Sequence, residues 1–134
     1  ALNSDLGFTA EDRREACRRG AQTARLLNEQ GMIVIATFVS PYSEIRRLAR
    51  DIIGDALFVE VHVDAPASVC MERDQNNGSS VYEQAGQGKI RSFTGVSAGY
   101  DAPTDPFVKV DTDNNDVAQC VADIMNALKQ RGLV

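Results

Sequence analysis

The chain has 134 residues, the length of a single domain with one hydrophobic core, and its 14 Lys and Arg against 19 Asp and Glu give a formal net charge of −5. That balance argues against a general nucleic-acid binder, because affinity for a phosphate backbone is carried by clustered cations. With one histidine, His62, and three widely spaced cysteines, Cys17, Cys70 and Cys120, there is no zinc ligand set, and the cysteines read as buried reduced thiols in a cytosolic protein. No run approaches the ~20 apolar residues of a membrane span, and the Ala1 start carries no signal-peptide pattern, so a cytoplasmic location is expected.

Thr9 is placed to cap a helix, with Glu11 and Asp12 in its first turn and Asp12 at the capping-box position; the helix should run from about Ala10 to Gln30 and stop at Gly31. Its inward stripe, Cys17, Gly20, Ala21 and Ala24, is small enough for close packing against a sheet. Met32 to Phe38 is a continuous apolar run rich in β-branched residues, which predicts a strand buried on both faces. Ser40 before Pro41 opens a second helix, with Tyr42, Ile45, Leu48, Ala49 and Ile52 at helical spacing and Gly54 as its stop.

Leu57 to Val63 is the next predicted strand, followed by a short helix from Pro66 through Arg73, a polar flexible loop over Gln75 to Ser80, and one or two helical turns over Val81 to Gly86. Phe107 to Val110 reads as a short strand. A last helix from about Asp116 to Arg131 places Val117, Cys120, Val121, Ile124, Met125 and Leu128 on one face as core. Strands alternating with helices imply a parallel sheet and an α/β architecture.

Three short motifs invite stronger readings than they support. Gly86-Gln87-Gly88-Lys89 hints at a phosphate-binding loop, but the glycine spacing is wrong and Ile90 replaces the Ser or Thr that would meet a metal; it reads as a turn. Asn77-Gly78-Ser79 has the letters of a glycosylation sequon without the context. Asp111, Asp113 and Asp116 with Asn114 and Asn115 resemble calcium ligands, yet they lack the glycine and terminal Glu of an EF-hand loop, so capping is the expected role. Arg13, Arg14, Arg18, Arg19 and Arg25 on one helix, and Arg46, Arg47 and Arg50 on another, form either two solvated faces or a funnel for an anionic nucleotide.

The ordered segments LNSDLGF, DRR, FVSPY, FVEVHV, RD and KIRSFTG resemble adenylylsulfate kinase, from about Leu2 to Thr112. The resemblance implies a three-layer P-loop-kinase-like fold with a parallel sheet, and ATP-dependent phosphorylation of the 3′-hydroxyl of adenylyl sulfate to give phosphoadenylyl sulfate, with Mg²⁺. It also implies that the Walker A loop and the Asp-Gly-Asp segment, and with them the first two strands, lie upstream of this chain, which is expected to be a truncated single domain spanning residues 1–134 with a lid over about 75–99. In the resembled fold the P-loop strand lies between the strands matching Met32 to Phe38 and Leu57 to Val63. Without it these two are expected to pair directly if the chain folds alone, or to leave a vacant slot in a fragment of a larger protein.

By the same resemblance Phe8 and Phe93 sandwich the adenine, Arg13 holds the acceptor nucleotide, Val39 and Ser40 approach it with Ser40 at a phosphoserine position, and Arg91 is a basic lid residue. For Ser40, capping the helix that starts at Pro41 is favoured over nucleophilic chemistry. Ala16 stands where the pattern has Asn, Gly99 where it commonly has Pro, and Gln75 to Ser80 replaces a short run whose lysine reaches ligand phosphates. These departures leave open a non-catalytic adenylyl-nucleotide-binding domain, as occurs fused to ATP sulfurylase, or a purely structural remnant; a homodimer is a further expectation.

Overall fold

The computed structural model describes residues 2–90 and 92–134, which form two compact units. The first runs to Phe58 and takes in Gln84–Ala102; the second comprises Val59–Glu83 and Pro103–Val134. Among the described residues no helix is long and apolar enough to cross a membrane.

In the first unit, helix α1 (Ala10–Asn28) begins with the predicted capping box: the Asp12 amide donates to Thr9 Oγ1 at 3.1 Å and the Thr9 amide to Asp12 Oδ2 at 3.2 Å. Two of the orphan amides at the helix start are thereby satisfied. Helix α2 (Ser43–Ile53) starts two residues later than expected, with Tyr42 at the N-cap and no capping side chain from that residue, and ends at Gly54 in a positive-φ conformation (φ 92°). Ser40 is therefore not the cap. The two helices meet through Cys17, Ala21, Ile45 and Ala49, with Tyr42, Ile52, Ile53 and Phe58 packed around that cluster. Gly20 faces the Phe38 ring so closely that a Cβ would lie 2.6 Å from a ring carbon, so the small residue serves a side chain rather than a sheet.

The strand expected over Met32 to Phe38 does not form. Among the described residues no backbone hydrogen bond links Ile33 through Val39 to any neighbour, and Ile33 and Ile35 are 79% and 89% exposed. The run has the composition of a buried strand, but a strand exists only where a second backbone completes its ladder.

In the second unit, β1 (Val61–Asp64) pairs in parallel with β2 (Val108–Asp111), in the register Val61 to Val108 through Asp64 to Asp111. The strand expected from Leu57 thus loses its first residues: the amides of Leu57 and Phe58 turn back onto the Gly54 carbonyl at 3.1 and 3.0 Å. Among the described residues the sheet holds two strands, β1 and β2, so the direct pairing expected for 32–38 is not realised. Helix α3 (Ala67–Asn76) is longer than expected and absorbs Gln75 and Asn76; Gly78, at φ 72°, makes the turn. The polar loop is then stapled to Asp74, whose backbone carbonyl accepts from the Ser79 amide at 3.0 Å and whose carboxylate accepts from the Tyr82 amide at 3.1 Å, where α4 (Val81–Gly86) begins. The Ser79 side chain and the Tyr82 amide hold that carboxyl below its ordinary value.

Asp116 caps α5 (Val117–Gln130) through the Gln119 amide at 2.8 Å, and Asp111 collects the amides of Asp113 and Asn114, the capping work expected of this acidic run. The expected core face of α5 is only partly realised: Cys120 is buried, while Val117 is 80% and Val121 52% exposed. Periodicity marks an apolar stripe but not what covers it. Cys17 and Cys120 are buried and Cys70 half-buried, all three as free thiols.

Ile45 is fully buried at the centre of the α1–α2 contact, so Ile45→Ala should cost about 2 to 5 kcal/mol by leaving a cavity. Urea unfolding followed by circular dichroism measures it, and a loss below about 1 kcal/mol would show that the helix pair is held elsewhere.

Candidate functional site

The site is built at the N-terminal end of α1. Arg19, one face along that helix, donates through Nη1 and Nη2 to the two Asp5 carboxylate oxygens at 2.6 and 2.8 Å, through Nη1 to the Leu2 carbonyl at 2.9 Å and through Nε to Glu15 at 2.9 Å. Its planar fork ties the leading segment down along two directions at once. With the Leu6 amide turned onto the Asn3 carbonyl at 3.1 Å, this delivers Phe8, 60% exposed, to the start of α1.

Phe8, Thr9, Lys89, Ile90 and Ser92 line an open cleft of about 240 Å³. The Arg13 guanidinium lies 5.8 Å from the Phe8 ring centroid and donates to the Ser92 carbonyl at 3.0 Å, so it braces two walls of the cleft. Phe93 follows Ser92 and heads a tight turn whose Val96, Ser97 and Ala98 amides all point at its carbonyl, between 2.9 and 3.2 Å, while its own amide donates to Ser97 Oγ at 3.0 Å. Phe93 is half-buried and is not among the residues lining the cleft.

Val39 is exposed and Ser40 sits in the left-handed region at φ 39°, its Oγ 3.9 Å from Cys17 Sγ. Burial pushes the Cys17 thiol up, with the Ser40 hydroxyl opposing it, so the thiol stays protonated at neutral pH. Neither Val39 nor Ser40 lines the cleft, and Arg91 lies outside the described residues. The structure thus gathers Phe8 and Arg13, and adds Thr9, Lys89, Ile90 and Ser92, which the sequence did not mark as site residues. The signal for Lys89 was present in KIRSFTG, but there Lys89 reads as part of a turn. Among the described residues no three His, Cys, Asp or Glu side chains converge as metal ligands.

The family described as Adenylylsulphate kinase matches residues 1–111. The chain belongs to this family. It is 40% identical over 133 residues to the adenylyl-sulfate kinase of Staphylococcus carnosus, and 38% identical to the bifunctional enzyme CysN/CysC of Rhodopirellula baltica. Each alignment takes in 99% of the chain, but only 65% and 20% of those proteins, so the chain spans just under two thirds of the length of its single-function relative. The Mycobacterium tuberculosis APS kinase CysC, solved in complex with AMPPNP and APS, superposes with a TM-score of 0.86 at 35% identity, over 96% of this chain and 73% of that one. The α/β, P-loop-kinase-like fold is therefore that of the family.

The Arg19 clasp has a pH signature. Hydrogen bonds from Arg19 hold the Asp5 carboxyl down from 3.8 to about 2, and those from Arg18 and Arg19 hold Glu15 down from 4.5 to about 2. Both values are depressed in the folded state, so the clasp contributes its full stabilisation above about pH 4.5 and loses it as pH falls towards about 2. Carboxyl-carbon NMR titration should give midpoints near 2 for both groups; ordinary carboxylate midpoints would mean the clasp does not hold the leading segment in solution.

Proposed function

We propose that this chain is the acceptor-nucleotide and lid portion of an ATP-dependent adenylylsulfate kinase, and that in the complete protein it seats adenylyl sulfate while its 3′-hydroxyl oxygen attacks the γ-phosphorus of ATP and ADP leaves. Residues 1–134 are read as part of one cytoplasmic kinase domain, with a lid over about 75–99. The observation that carries this reading is the Phe8 cleft: an exposed aromatic face beside a cation, in a fold whose M. tuberculosis counterpart was solved with APS. A purine gains by stacking on such a face, and an anionic group by meeting Lys89, whose ammonium has no acceptor among the described residues. Lys89 takes the part of the lid lysine that the Gln75 to Ser80 segment lacks.

In this reading Phe8 and Phe93 contact the base, Arg13 supports the cleft through Ser92, and Val39, Ser40 and Arg91 belong to the nucleotide-facing loops. The ATP and Mg²⁺ sites are assigned to the remainder of the kinase, where the metal would neutralise the negative charge of the donor phosphates. A second reading, a non-catalytic adenylyl-nucleotide-binding domain fused to or paired with ATP sulfurylase, is favoured by Ala16 and by the altered lid. Its precedent for fusion is the bifunctional R. baltica relative.

Calorimetric titration of the chain with adenylyl sulfate tests the site. Phe8→Ala should weaken binding by ~1 to 3 kcal/mol, the worth of one stacked base, and Lys89→Ala should weaken it while lowering its sensitivity to salt. Affinity unchanged in both variants would remove the cleft from the reaction.

The chain by itself should release no ADP from ATP in response to adenylyl sulfate, because positioning and charge stabilisation around the donor phosphates account for many orders of magnitude in rate. Turnover by the isolated chain, measured with a coupled ADP assay, would overturn the division of labour proposed here.

A further inference from the structure

Resting on that reading, we propose that Arg46 is a positioning residue that clasps the Ser40 loop to the segment returning from Phe93, so that the two nucleotide-facing loops move as one. Its guanidinium donates through Nη1 to the Ser40 carbonyl at 2.8 Å and through Nη2 to the Asp101 carbonyl at 2.6 Å, and lies 5.9 Å from the Tyr100 ring centroid. Two further bonds close the same junction. The Asp101 amide donates to the Pro41 carbonyl at 2.7 Å, and the Ser43 amide donates to Asp101 Oδ2 at 3.3 Å.

That last contact explains how α2 starts without a cap of its own. Tyr42 offers no capping side chain, and a carboxylate from 58 residues further along the chain takes a free amide at the helix start. The aspartate also places negative charge where the helix dipole favours it. Ser40, meanwhile, holds φ at 39°, a conformation a non-glycine residue keeps only where its surroundings over-determine it. Its carbonyl is held by Arg46 and its hydroxyl approaches Cys17, so the strained residue is gripped from both sides. A fork that spans two carbonyls requires the planar, five-donor guanidinium; a lysine ammonium on a flexible stem makes a point contact and cannot fix the angle between them.

The test compares the full chain with Arg46→Lys and Arg46→Ala. Hydrogen exchange of the Ser43 and Asp101 amides should accelerate at least 10-fold in both variants, while the amides in the middle of α1 keep their protection. Unchanged exchange at Ser43 and Asp101 overturns the clasp whether or not any nucleotide binds. Adenylyl sulfate titration at a temperature where each variant is fully folded then separates positioning from plain support. A positioning role predicts at least a 5-fold loss of affinity with Lys as well as with Ala, whereas a structural role lowers Tm and leaves affinity unchanged, which overturns the proposal. Should Arg46→Ala fail to fold, Arg46→Lys carries both measurements. A wild-type chain with protected Ser43 and Asp101 amides but no affinity for adenylyl sulfate would refute the proposed function and leave the clasp standing.

Discussion

The contact between α1 and α2 is the constraint on which the first unit depends. Cys17 and Ala21 on one helix meet Ile45 and Ala49 on the other, and their small size lets the backbones come close enough for Cys17 Sγ to reach the Ile45 carbonyl at 3.8 Å. Everything proposed to meet a nucleotide in this unit hangs from that pair. Arg13 and Arg19 project from α1 to hold Ser92 and the leading segment; Arg46 projects from α2 to hold Ser40 and Asp101. A shift of one helix against the other would move these struts together, and with them both sides of the cleft.

Arginine serves here chiefly as an internal strut. In a chain of net charge −5, the arginines of α1 could have formed an attracting face for an anion, but Arg18 and Arg19 are paired with Glu15, Arg19 also with Asp5, and Arg25 with Glu29. Exposed ion pairs of this kind contribute little stability, because water and salt screen them. Their consequence is geometric: a guanidinium that bridges a carbonyl and a carboxylate fixes loops that carry no regular structure. Among the residues that line the cleft, Lys89 is the cation on which the proposed anion preference rests.

The extended run after α1 sets a different kind of limit. The seven residues from Ile33 to Val39, all apolar but Thr37, lie mostly exposed with no backbone–backbone hydrogen bond among the described residues, in a unit whose helices are capped and packed. Such a run is costly to leave open and is the kind of edge along which another strand adds.

What the sequence by itself determined are features decided within a few residues of chain. The Thr9 and Asp12 capping box and the Asp116 cap each join a side chain to a backbone amide three residues away, the Asp111 turn gathers amides two and three residues on, and the Gly54 stop is a local backbone conformation; all appear as expected. The ordered motifs likewise identified the family, because their spacing along the chain is a local record. Tertiary structure alone decided the rest. Met32 to Phe38 has strand composition but no ladder, and α5 has a core stripe that is half exposed, since burial belongs to a pair of surfaces and not to either one. The same holds for the site: Asp101 caps a helix 58 residues away, Arg13 grips a carbonyl 79 residues away, and Lys89 reaches Phe8's cleft, relations that exist only once the chain has closed on itself.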